Sequence, residues 1–94
     1  FGGEEFVMCL FNTDSESAIL AAERFRLLVS EHDFSNVAQG LKITLSIGVA
    51  VWPQENVTSI DELVKAADKA LYKSKSLGRD RVTLFEWTAN NKSA

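Results

Sequence analysis

Apolar and polar positions along the chain follow two periodicities, which predict the order strand, helix, strand, helix, strand. The first apolar run, Phe6 to Phe11, is short and wholly apolar, which is typical of a strand buried on both faces. Residues 41–52 alternate with period two, and the small residues on one of their faces leave room for a helix or a ligand to lie close. Pro53 is expected to end this strand, and residues 81–87 are expected to form a short last strand.

The first helix is predicted from about Asp14 to Glu31. Thr13 and Glu16 match a capping box in which Thr13 is the N-cap residue. Apolar residues then recur at helical spacing and predict one buried face, made of Ala18, Ala21, Ala22, Phe25, Leu28 and Val29. The opposite face is expected to be solvated and contains Glu23, Arg24, Arg26 and Glu31.

The second helix is introduced by another capping box, formed by Ser59 and Glu62. A stripe of mostly small residues follows, suited to close packing on a sheet: Leu63, Ala66, Ala67, Ala70, Leu71, Ser74 and Leu77. Gly78 supplies a left-handed C-cap. Two amphipathic helices between strands predict an α/β fold in which the helices cover a sheet.

The composition of the chain argues against several classes of protein. The chain has 94 residues, enough for one domain at most, with 46% hydrophobic and 24% charged residues. A net charge of −3 gives no basic footprint for a nucleic-acid polymer. No apolar run approaches the ~20 residues that span a bilayer. A cytoplasmic location is therefore expected.

The segment Gly2-Gly3-Glu4-Glu5 is the first candidate for chemistry. Two glycines at a turn let a ligand approach the backbone, because no side chain intervenes. Two adjacent carboxylates supply hard oxygen ligands of the kind that Mg²⁺ takes beside phosphates. An ordinary turn with solvated glutamates explains the same residues, and the pattern alone does not decide between the two.

Lys75 and Arg79 are the second candidate. They stand four residues apart where the second helix ends, so they project from the same side. An ammonium and a guanidinium both suit phosphate oxygens. They equally suit the negative end of a helix dipole, so this alternative also stays open at the level of the residues.

Four motifs follow one another along the chain: Gly2–Phe6, Ala22–Arg26, Thr44–Ala50, and Ala67–Tyr72 with Lys75 and Gly78–Val82. In this order, and over nearly the whole chain, they resemble the GGDEF family of diguanylate cyclases. The first resembles the family's naming motif and the second its Ala-Glu-Arg-apolar-Arg helix. The third is similar to its Thr-x-Ser-Ile-Gly-Val-Ala strand and the fourth to its last helix and exit.

The resemblance implies a fold, the C-terminal part of a GGDEF or nucleotidyl-cyclase palm-type domain. This is an α+β, sandwich-like arrangement whose sheet contains antiparallel strands and is covered by the two helices. Residues 1–87 would form the partial domain, starting at the GGEEF turn, and residues 88–94 a disordered tail. A central strand of the family sheet would precede Gly2, which would leave Phe6–Phe11 and Lys42–Trp52 each with an unpaired edge.

The resemblance also implies an activity, in which two facing domains of a dimer each hold one GTP with Mg²⁺ or Mn²⁺ and together form cyclic di-GMP and pyrophosphate. Glu4 and Glu5 would bind the metal and act in catalysis, and Glu4 would help to deprotonate the attacking 3′-hydroxyl. Substrate would be bound by Gly2, Gly3, Lys75 and Arg79. Arg24 would match an arginine of the inhibitory site for the product, cyclic di-GMP.

Several expectations follow from departures from the family pattern. In the family, a metal-binding Asp, the guanine-reading residues and an Arg-x-x-Asp inhibitory motif precede the first motif, and this chain does not contain them. A sensor domain is expected before them and, in some arrangements, a membrane anchor. The chain alone is therefore expected to make no cyclic di-GMP. Ser74 and Asp80 replace the usual Ala and Asn. Two alternatives stay open: an effector module that binds GTP or cyclic di-GMP without turnover, and a cyclase for another purine nucleotide.

Overall fold

A computed structural model of the chain describes residues 2–52 and 59–86. They form β1 (Gly2–Phe11), α1 (Ser15–Glu31), β2 (Ile43–Trp52), α2 (Ile60–Ser76) and β3 (Arg81–Leu84), which is the predicted order. The predictions for Pro53, for Trp87 and for the tail at 88–94 lie outside the described residues.

The sheet of the described residues is entirely parallel, with strand order β1-β2-β3. The expectation of antiparallel strands is therefore wrong for this part of the chain. Each strand is joined to the next by a helix, which returns the chain to the end of the sheet where the previous strand began, so consecutive strands run the same way. The expected open edge of residues 42–52 is wrong at Ser46–Val49, where β2 pairs with β3 on the side away from β1. The expected unpaired edge of Phe6–Phe11 is present within the described residues, because β1 is an edge strand of this sheet.

Strand β1 differs from its prediction at both the start and the level of burial. Gly2 and Gly3 are strand residues paired with Ile43 and Thr44, so the strand begins before Phe6 and the glycines do not form a turn. A long, regular partner strand explains this, because it supplies ladder hydrogen bonds beyond the apolar run. Phe6 and Phe11 are exposed, since β1 is paired on one side only within the described residues.

The helices pack on opposite faces of β2. Side chains of the odd-numbered residues Leu45 to Val51 form one core cluster with Ala18 and Ala22 of α1. On the other face Ala50 packs with residues of α2, namely Leu63, Ala66 and Ala67. The period-two alternation predicted for β2 is thus confirmed, and the helices form layers on both sides of the sheet.

The buried face of α1 is narrower than predicted. Ala18 and Ala22 are fully buried, but Phe25 and Leu28 are 42% and 70% exposed. Phe25 packs edge-on against Phe6, with ring centroids 6.0 Å apart, at the rim of the sheet. A three-stranded sheet is too narrow to cover the whole apolar stripe of a 17-residue helix.

The caps agree with the predictions in part. Asp14, not Thr13, is the N-cap residue of α1, and its carboxylate accepts a hydrogen bond of 2.7 Å from the Ser17 amide. Ser59 is the N-cap residue of α2 as predicted, and its hydroxyl accepts from the Glu62 amide. Gly78 adopts a positive φ of 124°, the conformation predicted for a left-handed cap.

Helix α2 lies very close to β2 because of Gly48. A methyl group built on Gly48 would collide with backbone atoms of α2, the carbonyl oxygen of Ala67 and the amide nitrogen and Cα of Leu71. The predicted role of the small residues on this face is therefore confirmed. The buried Ser74 hydroxyl donates to the carbonyl of Ile47 and bonds Thr83, so this packing leaves that polar group satisfied.

Candidate functional site

Three of the predicted site residues meet around one carboxylate. Glu5 of β1 accepts hydrogen bonds from Lys75 Nζ on Oε1 at 3.1 Å and from Arg79 Nη1 on Oε2 at 3.2 Å. The side chains are between 30% and 56% exposed, so the group is open to solvent. Each oxygen of the carboxylate thus has its own cation, and the two cations converge on one small oxyanion.

The fold explains why these residues meet. Side chains alternate along β1, and Glu5 is paired with Ser46, which lies on the face of β2 that α2 covers. Lys75 stands in the last turn of α2. Gly78 then reverses the chain, and Arg79, with φ 65°, projects back toward β1. The helix end and the left-handed turn together bring the second cation to the first.

The two cations lower the pKa of Glu5, and the hydrogen bond from Lys75 is the larger cause, followed by that from Arg79. Because the folded-state pKa lies below the ordinary value of 4.5, the ion pairs contribute fully above that pH. Their contribution is lost as the pH falls through the folded-state pKa.

We expect Lys75→Gln to raise the pKa of Glu5 toward 4.5, and Arg79→Gln to raise it less. The physical reason is that each variant removes one cation from the carboxylate, and the Lys75 contact has the larger effect. The measurement is an NMR titration of the Glu5 side-chain carboxyl carbon. Lys65→Gln, on the exposed surface of α2, is the control. Equal Glu5 titration curves in Lys75→Gln and Lys65→Gln would contradict the ion pair.

Glu4 lies on the other face of the sheet from Glu5, because adjacent strand residues point in opposite directions. The structure therefore does not bring these two predicted metal ligands together. Among residues 2–52 and 59–86, no three His, Cys, Asp or Glu side chains are close enough to hold a metal ion. Carboxylate oxygens suit Mg²⁺ chemically, but the arrangement does not direct both glutamates at a single ion.

The remaining predicted residues lie at different places. Gly3 is in β1, where an added methyl group would meet no atom within 4 Å and the backbone has no positive φ. Neither packing nor conformation requires glycine at this position. Gly2, at the start of β1, pairs with Ile43. Arg24 is exposed on α1, the helix on the opposite face of the sheet from Lys75.

Sequence reasoning missed a second group of charges next to this site. Arg26 was predicted on a solvated face, but its side chain is only 17% exposed and bonds both Glu23 and Asp80. The Asp80 amide in turn donates to the Ser46 hydroxyl at 3.2 Å. A signal for this was present, because Arg26 follows the buried Ala22 by four residues and so lies on the same side of α1.

Comparison with known proteins agrees with the motifs. The family model "Diguanylate cyclase, GGDEF domain" matches residues 1–81. The chain therefore belongs to the GGDEF family. No solved structure gives a significant match.

Curated relatives share about two fifths of the aligned residues with the chain. Diguanylate cyclase A of Treponema denticola is 43% identical over 84 residues, 89% of this chain and 22% of the relative. Diguanylate cyclase DgcM of Escherichia coli is 44% identical over 82 residues, 87% of this chain and 19% of the relative. Response regulator PleD of Caulobacter vibrioides is 41% identical over 85 residues, 87% and 18% respectively. The chain thus spans about a fifth of the length of these relatives.

No helix in the described part of the chain is long and apolar enough to cross a membrane.

Proposed function

We propose that the protein containing this chain is a diguanylate cyclase, which condenses two GTP molecules into cyclic di-GMP and releases pyrophosphate. The observation that supports this most directly is the convergence of Lys75 and Arg79 on one oxyanion, the Glu5 carboxylate. A phosphate group offers the same cations more oxygens and more charge. The family membership of the chain and the names of its relatives support the reaction class.

Lys75 and Arg79 would bind the phosphates of GTP in this proposal. Their positive charges would offset negative charge on the phosphate oxygens as a 3′-hydroxyl attacks the α-phosphate and pyrophosphate leaves. No atom lies within 4 Å of the position that a Cβ at Gly3 would take, so packing does not require glycine there. This free space beside β1 supports a nucleotide lying against the backbone. Two such domains, each with one GTP, would face each other, so catalysis would require a dimer.

Mg²⁺ or Mn²⁺, when bound, would polarise the phosphate oxygens. Glu4 and Glu5 are the carboxylates that would hold it. They lie on opposite faces of β1, so in this arrangement they would hold different ions or act one at a time. In the free chain both Lys75 and Arg79 are paired with the Glu5 carboxylate. A metal ion that bound Glu5 would also release these two cations for phosphate.

The test is cyclic di-GMP formation from GTP and Mg²⁺ by the longer protein that contains residues 1–94. Glu4→Gln is expected to lower turnover by about a hundredfold or more, as the loss of one electrostatic stabiliser of a transition state does. Lys65→Gln, exposed on α2, is expected to leave turnover unchanged. Product is measured by chromatography. The specific activity should rise with protein concentration if two domains are required.

Other outcomes separate the alternatives. GTP or cyclic di-GMP binding with no turnover in the longer protein would replace this proposal with the effector module. Turnover of another purine nucleotide in preference to GTP would replace the substrate. The 94-residue chain is assayed alongside, and cyclic di-GMP formation by it would contradict the prediction that it is inactive alone.

A further inference from the structure

The turn that follows α2 holds Arg79 in an unfavourable backbone conformation. Gly78, Arg79 and Asp80 have positive φ angles of 124°, 65° and 48° in succession. Only glycine adopts this region freely, and residues with a Cβ remain there when their surroundings hold them. The backbone of this turn sets the direction in which the Arg79 side chain points. The contacts that hold the turn therefore also position the Arg79 guanidinium.

The amides of Gly78 and Arg79 donate to carbonyls of α2, and Asp80 adds two contacts that hold the turn, one from each side of the sheet. Its amide donates to the hydroxyl of Ser46, which is buried on the α2 face. Its carboxylate accepts a hydrogen bond of 2.8 Å from Arg26 Nη1, and Arg26 belongs to α1 on the other face. A charge-assisted bond of this length to a mostly buried arginine is among the stronger polar contacts available to a turn.

Arg26 is itself held in place. Its Nε donates to Glu23 Oε1 at 2.6 Å, one turn back on the same helix, and its side chain is 17% exposed. The guanidinium fork therefore reaches Asp80 with few alternative rotamers. Lysine at this position would keep the charge but lose the fork, because an ammonium on a flexible stem bonds less directionally.

We propose that Arg26 and Asp80 are positioning residues, whose ion pair fixes the 78–80 turn so that Arg79 points to the oxyanion site beside Lys75. This rests on the proposed function in so far as the oxyanion is a phosphate group. The same pair directs the negative charge of Asp80 toward Arg26, which reduces the repulsion between Asp80 and a bound phosphate.

The test uses the 94-residue chain and inorganic tripolyphosphate as the probe, with affinity measured by calorimetry. Arg26→Gln is expected to weaken binding about tenfold, the effect of losing one charge-assisted hydrogen bond. Asp80→Asn should weaken it less, because the amide oxygen of asparagine still accepts a hydrogen bond from Arg26 and only the negative charge is lost. The double variant is expected to bind no more weakly than Arg26→Gln, because both changes act on the same contact. Arg26→Lys should be intermediate. Lys65→Gln, which removes an exposed positive charge from α2, is the control.

Hydrogen exchange of the Arg79 and Asp80 amides separates positioning from a general loss of stability. These amides donate to the Ser74 carbonyl and the Ser46 hydroxyl. In Arg26→Gln they should exchange faster while amides of central β2 do not. Asp80→Asn keeps the size of the side chain and serves if Arg26→Gln fails to fold.

The outcomes are distinct. Affinity and amide exchange in Arg26→Gln and Asp80→Asn equal to those of Lys65→Gln would overturn the proposal. If the unmodified chain does not bind tripolyphosphate, the phosphate site of the proposed function fails. Faster exchange at Arg79 and Asp80 in Arg26→Gln would then still support positioning by the pair, and unchanged exchange would overturn it.

Discussion

Replacing Gly48 with alanine is expected to destabilise the fold more than any other single methyl group added to the described part of β1 or β2. The new Cβ would overlap the backbone of α2 at Ala67 and Leu71, and its distance to the Leu71 Cα would be 2.7 Å. A side chain could rotate away from such a contact, but a helix backbone cannot. The helix must therefore move off β2 as a unit and separate Ala50 from Leu63, Ala66 and Ala67.

We expect the free energy of unfolding to fall by about 3 kcal/mol or more in Gly48→Ala, at or above the upper end of the usual cost of overpacking. Urea unfolding followed by circular dichroism measures it. A loss of this size is a large part of the stability of a small domain, about 5–15 kcal/mol. If the free energy of unfolding of the chain is near 5 kcal/mol, about 2 kcal/mol or less remains in the variant, and a few per cent or more of it is expected to be unfolded at ambient temperature.

Gly3→Ala is the matched control, because it adds the same methyl group to a neighbouring strand where no atom lies within 4 Å. Its stability should be unchanged or higher by about 0.5–1 kcal/mol, since alanine loses less backbone entropy than glycine on folding. If Gly48→Ala lowered the free energy of unfolding no more than Gly3→Ala does, α2 would not lie directly on β2.

The elements of this fold could be predicted from the sequence because each has a local signal. Capping residues and helical spacing located both helices to within a few residues, and period-two alternation assigned the faces of β2. The small residues around Gly48 correctly predicted a closely packed helix. Such signals depend on neighbouring residues in the chain, so a single sequence is enough to show them.

The pairing of the strands could not be predicted in the same way. The wholly apolar run Phe6–Phe11 indicated burial on both faces, but burial depends on the number of strands beside it. The same limit applies to Phe25 and Leu28, whose helical spacing is correct although Phe25 meets the sheet only at its rim and Leu28 is exposed. Strand order and register are long-range properties, and apolar character alone does not specify them.

The candidate site could likewise be predicted only where it depends on residues that are close together in the chain. Helical spacing suggested that Lys75 and Arg79 lie together, but Arg79 stands beyond the end of α2 and reaches the site through the turn at Gly78. The contact of both cations with Glu5 joins residues 70 or more positions apart. Adjacent glutamates suggested a shared metal ion only while they were assumed to lie in a turn. In a strand, adjacency places Glu4 and Glu5 on opposite faces. Because residues 2–5 form a strand and not a turn, Glu4 and Glu5 do not point at a shared metal ion.

Removing both cations of the site is expected to have the largest effect on phosphate binding. Lys75→Gln and Arg79→Gln should each weaken the binding of inorganic tripolyphosphate to the 94-residue chain about tenfold, and the double variant about a hundredfold. The reason is that each cation supplies a separate charge-assisted contact to one anion. Calorimetry at low ionic strength is the measurement, because these exposed charges are screened by salt.

Glu5→Gln provides the opposite change at the same site. In the free chain the Glu5 carboxylate accepts hydrogen bonds from both cations, so a phosphate must displace this carboxylate. Removing its charge should therefore strengthen tripolyphosphate binding in the absence of metal, while the cation variants weaken it. Lys65→Gln should alter binding little, since this lysine is exposed on α2 and is not among the cations that meet Glu5. If Glu5→Gln and Lys75→Gln instead weakened binding equally, Glu5 would be a ligand contact and not a competitor for the two cations.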